Sequence, residues 1–368
     1  MDKGLDITLW RRLFACHATL GAAGSRWRRG SAASASFGRP ASGPEDALEH
    51  FQREVHGAGL CPDWAAADAT LAWLAADPAR RALVTGDVDY PPRLAAIAVP
   101  PALLFVAGDA ACLSRPQLAI VGARKATAGA REAARDIAAA VALRGAVVTS
   151  GLALGADAAA HRGALAAGGS TVAVLAHGLD QVYPRAHAGL AREVRAQGAL
   201  VSEFPLGCAP LRAHFPQRNR IIAGLALGVL VVEAAARSGS LSTAMHALEQ
   251  GREVFAMPGS IHNPLSRGCH ALIRDGARLT ESIEDILDEL PQLAVRAAAG
   301  QPAPGVSPRP LDGAARRLLE TCGWAPFTID DAVVRSGLTV QEVSSILLAL
   351  ELDGHVESQA GGIYTRAR

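Results

Sequence analysis

Residues 214–244, HFPQRNRIIAGLALGVLVVEAAARSGSLSTA, run from an arginine-rich loop through a helix start and a buried strand into a Gly/Ser turn that opens another helix. Residues 228–234 form a short Val-rich run, suited to a parallel sheet covered on both faces. Just beyond it come Arg237, Ser238, Gly239, Ser240 and Thr243. In a doubly wound fold, ligands bind at the carboxyl ends of the strands, and a helix N-terminus there offers free N–H groups to anions. Arg218, Asn219 and Arg220 open the preceding helix and bring cations toward the same edge. The ligand this pattern fits is a phosphate, or several in a row.

Working outward, the apolar runs 118–123 (LAIVGA), 146–151 (AVVTSG), 170–178 (STVAVLAHG), 199–204 (ALVSEF) and 253–259 (EVFAMPG) read as further strands, with helical stretches between most of them. Such alternation implies right-handed βαβ crossovers and an α/β fold with a mainly parallel sheet. The chain ahead of it, to about residue 110, reads as helical and Ala-rich, broken by a soft Gly/Ser/Arg segment over 21–44. Behind it, AAAGQPAPGVSPRP (297–310) reads as a linker. The tail then shows helices at 312–322, 329–336 and 340–352, N-capped by Thr328 and Thr339, and two short strands around Gly361-Gly362, a winged-helix pattern. The expected domains are therefore 1–85 (helical), 86–292 (sheet), 293–310 (linker) and 311–368 (winged helix).

Length and composition agree with this plan. A chain of 368 residues that is 50% hydrophobic has material for several cores. The net charge of +1 confines any nucleic-acid site to a local patch. Lys3 and Lys125 are the only lysines, so cationic sites are arginine forks suited to phosphate and to stacking on bases. Six scattered cysteines with no CxxC pair fit reduced, buried thiols in a cytoplasmic protein. No apolar run reaches the roughly 20 residues of a bilayer span, and the N-terminus lacks a secretory pattern. The histidines never take HxxxH or HExxH spacing, so neither a metal nor another cofactor is expected.

The turns after the strands carry the chemistry. The first, VGARKATAGA, holds Gly122, Arg124, Lys125 and Gly129; an Arg stands where a dinucleotide fingerprint needs Gly, so it suits a phosphate gripped from outside. The second, SGLALGADAAAH, holds Asp157 and His161 at helical spacing, which permits a pair, although a capping Asp with a packed His is preferred. The third offers Tyr183, Pro184 and Arg185, and the fourth Arg212, Phe215, Arg218 and Arg220. Rings interleaved with arginines along one sheet edge suit single-stranded nucleic acid, whose bases stack without strong sequence preference. The tail carries five Arg against eight Asp and Glu, and its 340–352 helix has no cation, which favours protein contact over duplex readout.

The motifs YPPRL, IVGARKAT, SGLALGADAAAH, AVLAHGLDQVYPRAH, SEFPLG, HFPQRNRIIAGL, VVEAAARSGSLSTA, FAMPGSI and SRGCHALIRDGA, in this order from about residue 90 to 290, resemble the DprA/Smf family, the DNA-processing proteins of natural transformation. The resemblance implies an extended Rossmann fold that uses no dinucleotide, with an N-terminal sterile-alpha-motif or helix-hairpin-helix-like domain. The segment TLGAAGSRWRRGSAASASFGRP makes that domain degenerate here, since it lacks a clean hairpin. It further implies single-stranded DNA binding and protection, RecA recombinase loading, homodimers and no catalysis. The phosphate-gripping Arg falls on Arg124, and the basic residue after Tyr-Pro on Arg185. The basic residue and ring ahead of the RNR motif fall on Arg212 and Phe215. The rest of the expected site is Gly122, Lys125, Arg218, Asn219, Arg220, Ser238, Gly239, Ser240 and Thr243. The alternative is a nucleotide-binding, phosphoribohydrolase-like enzyme built on the 238–243 turn with Glu249, although a PGG start is absent. A duplex-binding regulator acting through the tail is the third reading, which the acidity of the 340–352 helix opposes.

Overall fold

A computed structural model describes residues 7–27, 42–295, 312–353, 355–359 and 362–366. The amino-terminal section is three helices, α1 (Ile7–Trp27), α2 (Pro44–Gly57) and α3 (Trp64–Ala75). Asp63 caps α3 by accepting from the Ala66 N–H at 3.0 Å. The expected break at Gly21 does not occur, because α1 continues to Trp27. Gly21 serves close packing instead of a turn: a Cβ there would lie 2.4 Å from Pro205 Cγ. The rest of the expected soft segment, 28–41, is outside the described residues.

Strand β1 (Arg80–Val84), the short helix α4 (Pro92–Ala95) and strand β2 (Leu103–Gly108) follow. They correct the reading of everything up to residue 110 as helical, and they place the sheet's start five residues ahead of the expected boundary at 85. β1 pairs antiparallel with β2, and β2 antiparallel with β6. Phe105 of β2 packs with Phe14 of α1 and Phe51 of α2 in one buried cluster, so β2 ties the helical section to the sheet.

The sheet's remaining strands are β3 (Gln117–Val121), β4 (Val147–Ser150), β5 (Thr171–Val174), β6 (Ala199–Ser202), β7 (Gly228–Val231), β8 (Glu253–Ala256) and β9 (Arg278–Leu279). Their order is β1-β2-β6-β5-β4-β3-β7-β8-β9, parallel from β6 through β9. All six strands expected from sequence are present, and each is shorter at its carboxyl end. There Gly122, Gly151 and their counterparts leave the ladder to form the loops that carry the site. The order reverses between β3 and β7, which makes their carboxyl ends the topological switch point.

Period-two alternation sends residues of each strand to opposite faces. Ala119, Val121, Val229 and Val231 join one core with Ile221 and Ile222 of α8 (His214–Leu225), Ala244 of α9 (Gly239–Glu249) and Leu272 of α10 (Arg267–Arg274). Leu118, Ile120, Val148 and Leu230 join the other with Ile137 of α5 (Ala128–Leu143), Ala159 of α6 (Ala156–Ala166) and Ile286 of α11 (Ile283–Glu289). Helix α7 (Ala188–Gln197) covers the β5–β6 end beside α6. Leu293 is fully buried in the second core, so the sheet domain extends past the expected linker start at 293. The remaining linker positions, 296–310, are outside the described residues.

The tail comprises α12 (Gly313–Cys322), β10 (Phe327–Thr328), α13 (Ile329–Ser336), α14 (Val340–Leu352), β11 (Val356–Gln359) and β12 (Ile363–Arg366). Thr328 and Thr339 both form capping boxes, with Asp331 and Glu342 at N3. The three strands order β10-β12-β11, a winged-helix arrangement with its own core around Leu318, Phe327 and Leu347. Cys61 is exposed and Cys208 half-buried, against the expectation that all six thiols are buried. No single helix among the described residues is long and apolar enough to cross a membrane.

Candidate nucleic-acid interface

The switch point holds a recess of about 220 Å³ between the carboxyl ends of β3 and β7 and the first turns of α6, α8 and α9. Gly122 leaves β3 there because its backbone passes against α6, where a Cβ would meet Ala156 Cβ at 2.6 Å. The Ala123 N–H donates to the Glu233 carbonyl at 2.6 Å, binding the loop after β3 to the end of β7. That loop presents Arg124 at the rim, exposed, with its guanidinium 5.3 Å from the Phe215 ring.

Arg218 lies deeper. Its side chain is buried, and Nη1 donates to the Gly151 carbonyl at 2.9 Å and to the Val174 carbonyl, while Nε donates to Asn219 Oδ1 at 3.2 Å. The guanidinium is thereby fixed across the ends of β4 and β5. Glycine at 151 makes room for this placement, because a Cβ there would fall 2.5 Å from both Nη1 and Nη2 and push the guanidinium aside. Burial pushes the Arg218 pKa down to about 10, against an upward pull from Asp157. A cation held at such cost in a recess open to solvent is suited to an anionic ligand.

On the opposite wall Ser238 caps α9, its Oγ 3.3 Å from the Ser240 N–H and 2.7 Å from Ser240 Oγ. Asn219 Nδ2 donates to the Gly239 carbonyl at 3.2 Å, which locks α8 to the α9 turn. The space in front of Gly239 is open, and Thr243 closes the floor one turn further in. The α9 N-terminus thus adds backbone N–H groups and its dipole to the two guanidinium groups.

Phe215 is the aromatic member. It lines the recess between Arg124 and Arg218, and Tyr183 meets it edge-on with centroids 6.0 Å apart. Tyr183 is itself 45% exposed, so an accessible ring continues the edge outward.

Four expected site residues stand elsewhere. Lys125 and Arg212 on loops and Arg185 on a short 3-10 turn (Arg185–His187) are exposed outside the recess. Arg220 turns away altogether: Nη1 and Nη2 donate to both Glu203 carboxylate oxygens at 2.8 and 2.6 Å, and Nε donates to the Val99 carbonyl at 3.0 Å. Two residues along a helix is about 200°, so Arg218 and Arg220 cannot both face the sheet edge. Asp157 and His161 do not pair either. Asp157 Oδ2 accepts from the Gly151 and Ala153 N–H groups, whereas His161 Nδ1 meets Thr171 Oγ1 at 2.7 Å. Asp157 lines the recess, a placement that sequence reasoning missed although it follows the strand next to the switch point. Glu249, the acid of the enzyme alternative, is at the far end of α9 with His246, outside the recess. No cluster of metal-ligating side chains occurs among the described residues.

Fold and site together define a doubly wound α/β domain with an arginine-lined recess at its switch point, followed by a winged helix. Residues 81–291 match the family model of DNA recombination-mediator protein A, and 301–362 that of the DprA winged helix domain. The chain belongs to the DprA/Smf family. It is 45% identical over 306 residues to protein Smf of Escherichia coli, covering 82% of this chain and 81% of that one. It is 46% identical over 204 residues to DNA processing protein DprA of Streptococcus pneumoniae, covering 54% and 71%. A crystal structure of the pneumococcal protein superposes with a TM-score of 0.59 at 35% identity, over 77% of this chain and 98% of that one. DNA processing protein A from Helicobacter pylori, described for its unique single-stranded DNA binding mode, superposes at 0.53 with 28% identity, over 58% and 96%.

Proposed function

We propose that this protein binds single-stranded DNA along the carboxyl edge of its sheet and passes the strand to the RecA recombinase, acting as a cytoplasmic homodimer without catalysis. The observation that carries the reading is Arg218, fixed flat across two strand ends with Arg124, the α9 N-terminus and the Phe215 ring arranged around one small recess. Backbone phosphate enters the recess while bases stack on Phe215 and Tyr183, a combination suited to a strand of any sequence. Exposed Lys125, Arg185 and Arg212, outside the recess, offer further cations to the strand. Strand binding in the Helicobacter relative and the mediator description of the matched family support this assignment. The separation of Asp157 from His161, with Glu249 outside the recess, favours binding over turnover.

The test pairs two assays on the full chain. A fluorescent dT strand should bind at least about tenfold tighter than a matched duplex, a difference of roughly 1.4 kcal/mol. Protein added to strand coated with single-strand-binding protein should speed RecA filament nucleation. Duplex preference would overturn the strand assignment, and strand binding without any effect on nucleation would overturn the mediator role.

A further inference from the structure

The recess contains a group that phosphate binding alone does not explain. Asp157 is buried in its wall, bonded to the loop that follows β4. The Gly151 residue joins it to the cation, because the Gly151 N–H donates to Asp157 Oδ2 at 3.1 Å while the Gly151 carbonyl accepts from Arg218 at 2.9 Å. A second N–H, from Ala153, reaches the same oxygen at 3.4 Å. Burial pushes the Asp157 carboxyl up, and Arg218, the two N–H groups and Ser150 pull it back toward ionisation. Arg218 from α8 is the charged group that acts on it directly, Arg124 from the β3 loop lines the same recess, and His161 is directed away to Thr171. The Asp157 carboxyl, held above the usual carboxylate range by burial, thus opposes the two guanidinium groups and the α9 N-terminus that line the same recess.

We propose that Asp157 is a specificity-determining residue that matches the recess to the single charge of an internal phosphodiester and excludes the dianionic phosphate of a strand end, a mononucleotide or free phosphate. The inference rests on the strand-binding reading of the same recess. A phosphomonoester carries about −1.5 to −2 charges at neutral pH, and its extra charge must approach a buried carboxylate. In a low-dielectric wall that repulsion is weakly screened. The volume agrees, since about 220 Å³ suits one phosphate and its neighbouring atoms. The consequence is a protein that grips a strand anywhere along its length and is not drained by cellular nucleotides or by strand termini.

The experiment compares two competitors that differ by one charge. Thymidine carrying a 5′-phosphate and thymidine carrying a 5′-methyl phosphate, each with a single phosphorus, displace a fluorescent dT strand from the full chain at pH 7.5 and constant ionic strength. Wild type should favour the methyl phosphate by about tenfold. Asp157→Asn, isosteric and still able to accept one N–H, should lose that preference through stronger inhibition by the 5′-phosphate. Equal inhibition by the two in wild type, or a preference for the dianion, overturns the proposal even if the variant fails to fold. A preference that survives in folded Asp157→Asn also overturns it. Arg124→Ala separates the levels: if it leaves strand affinity unchanged, the recess is not the strand site and both readings fall. If it weakens the strand but wild type shows no preference, only the role of Asp157 falls.

Discussion

Replacing Arg220 by alanine separates a structural arginine from one that meets the ligand. The Arg220 side chain is 12% exposed and that of Glu203 5%, with two charge-assisted bonds between them. Alanine would strand the Glu203 carboxylate in the interior and leave the Val99 carbonyl without its donor. Breaking a buried pair from one side costs about 3–5 kcal/mol, most of it the uncompensated charge. Each kcal/mol lowers Tm by roughly 2–4 °C in a domain of this size, so a fall of about 10 °C is expected by differential scanning fluorimetry. Arg220→Met combined with Glu203→Gln should recover at least half of that loss, since it removes both charges and keeps the volume. Strand affinity of Arg220→Ala, measured well below its Tm, should stay within about threefold of wild type, because no cation leaves the recess. A Tm within about 2 °C of wild type together with a tenfold loss of affinity would return Arg220 to the interface.

Three further outcomes follow from the same geometry. Gly151→Ala should displace the Arg218 guanidinium and weaken strand binding by about tenfold with an unchanged circular dichroism spectrum; unaltered affinity would mean that Arg218 does not act from its observed position. Phe215→Ala should cost about 1–3 kcal/mol of strand affinity while leaving its salt dependence unchanged, and a flattened salt slope would show that the ring works through Arg124 rather than through bases. Stability should fall on acidification: burial lowers His17 to about 4 and His161 to about 3, so the unfolded chain takes up protons near pH 6.5 that the folded chain refuses. Folded-state values below the unfolded ones place maximal stability above about pH 6.5 and its loss between there and pH 3–4. A urea midpoint constant from pH 7 to 4.5 would contradict this.

What the sequence made legible follows from how strongly each segment is constrained. Buried parallel strands such as 228–231 can scarcely be anything but Val-rich runs, and the capping Thr328 and Thr339 mark their helices directly. β1 begins with Arg80 and Arg81, lies at the sheet edge and buries only its last residues, so its composition resembles a helix terminus. β9 is two exposed residues and carries no periodic signal. In the recess, Gly122, Arg124 and the 238–243 turn were legible because strand ends at a switch point converge. Arg218 and Arg220 were not distinguishable, since both belong to one basic run and only the face of α8 that packs on the sheet decides between them. Asp157 escaped because its partner is the backbone of Gly151, a contact with no signature in spacing.

Strand affinity across a salt series for wild type and Arg124→Ala decides whether the switch-point recess holds the strand. Each single-strand phosphate contact contributes about 0.7 to the slope of log affinity against log salt. Arg124→Ala should bind more weakly at every salt concentration, with a slope smaller by roughly 0.7. Identical affinity and slope in the two proteins would contradict it and remove the strand from the switch-point recess.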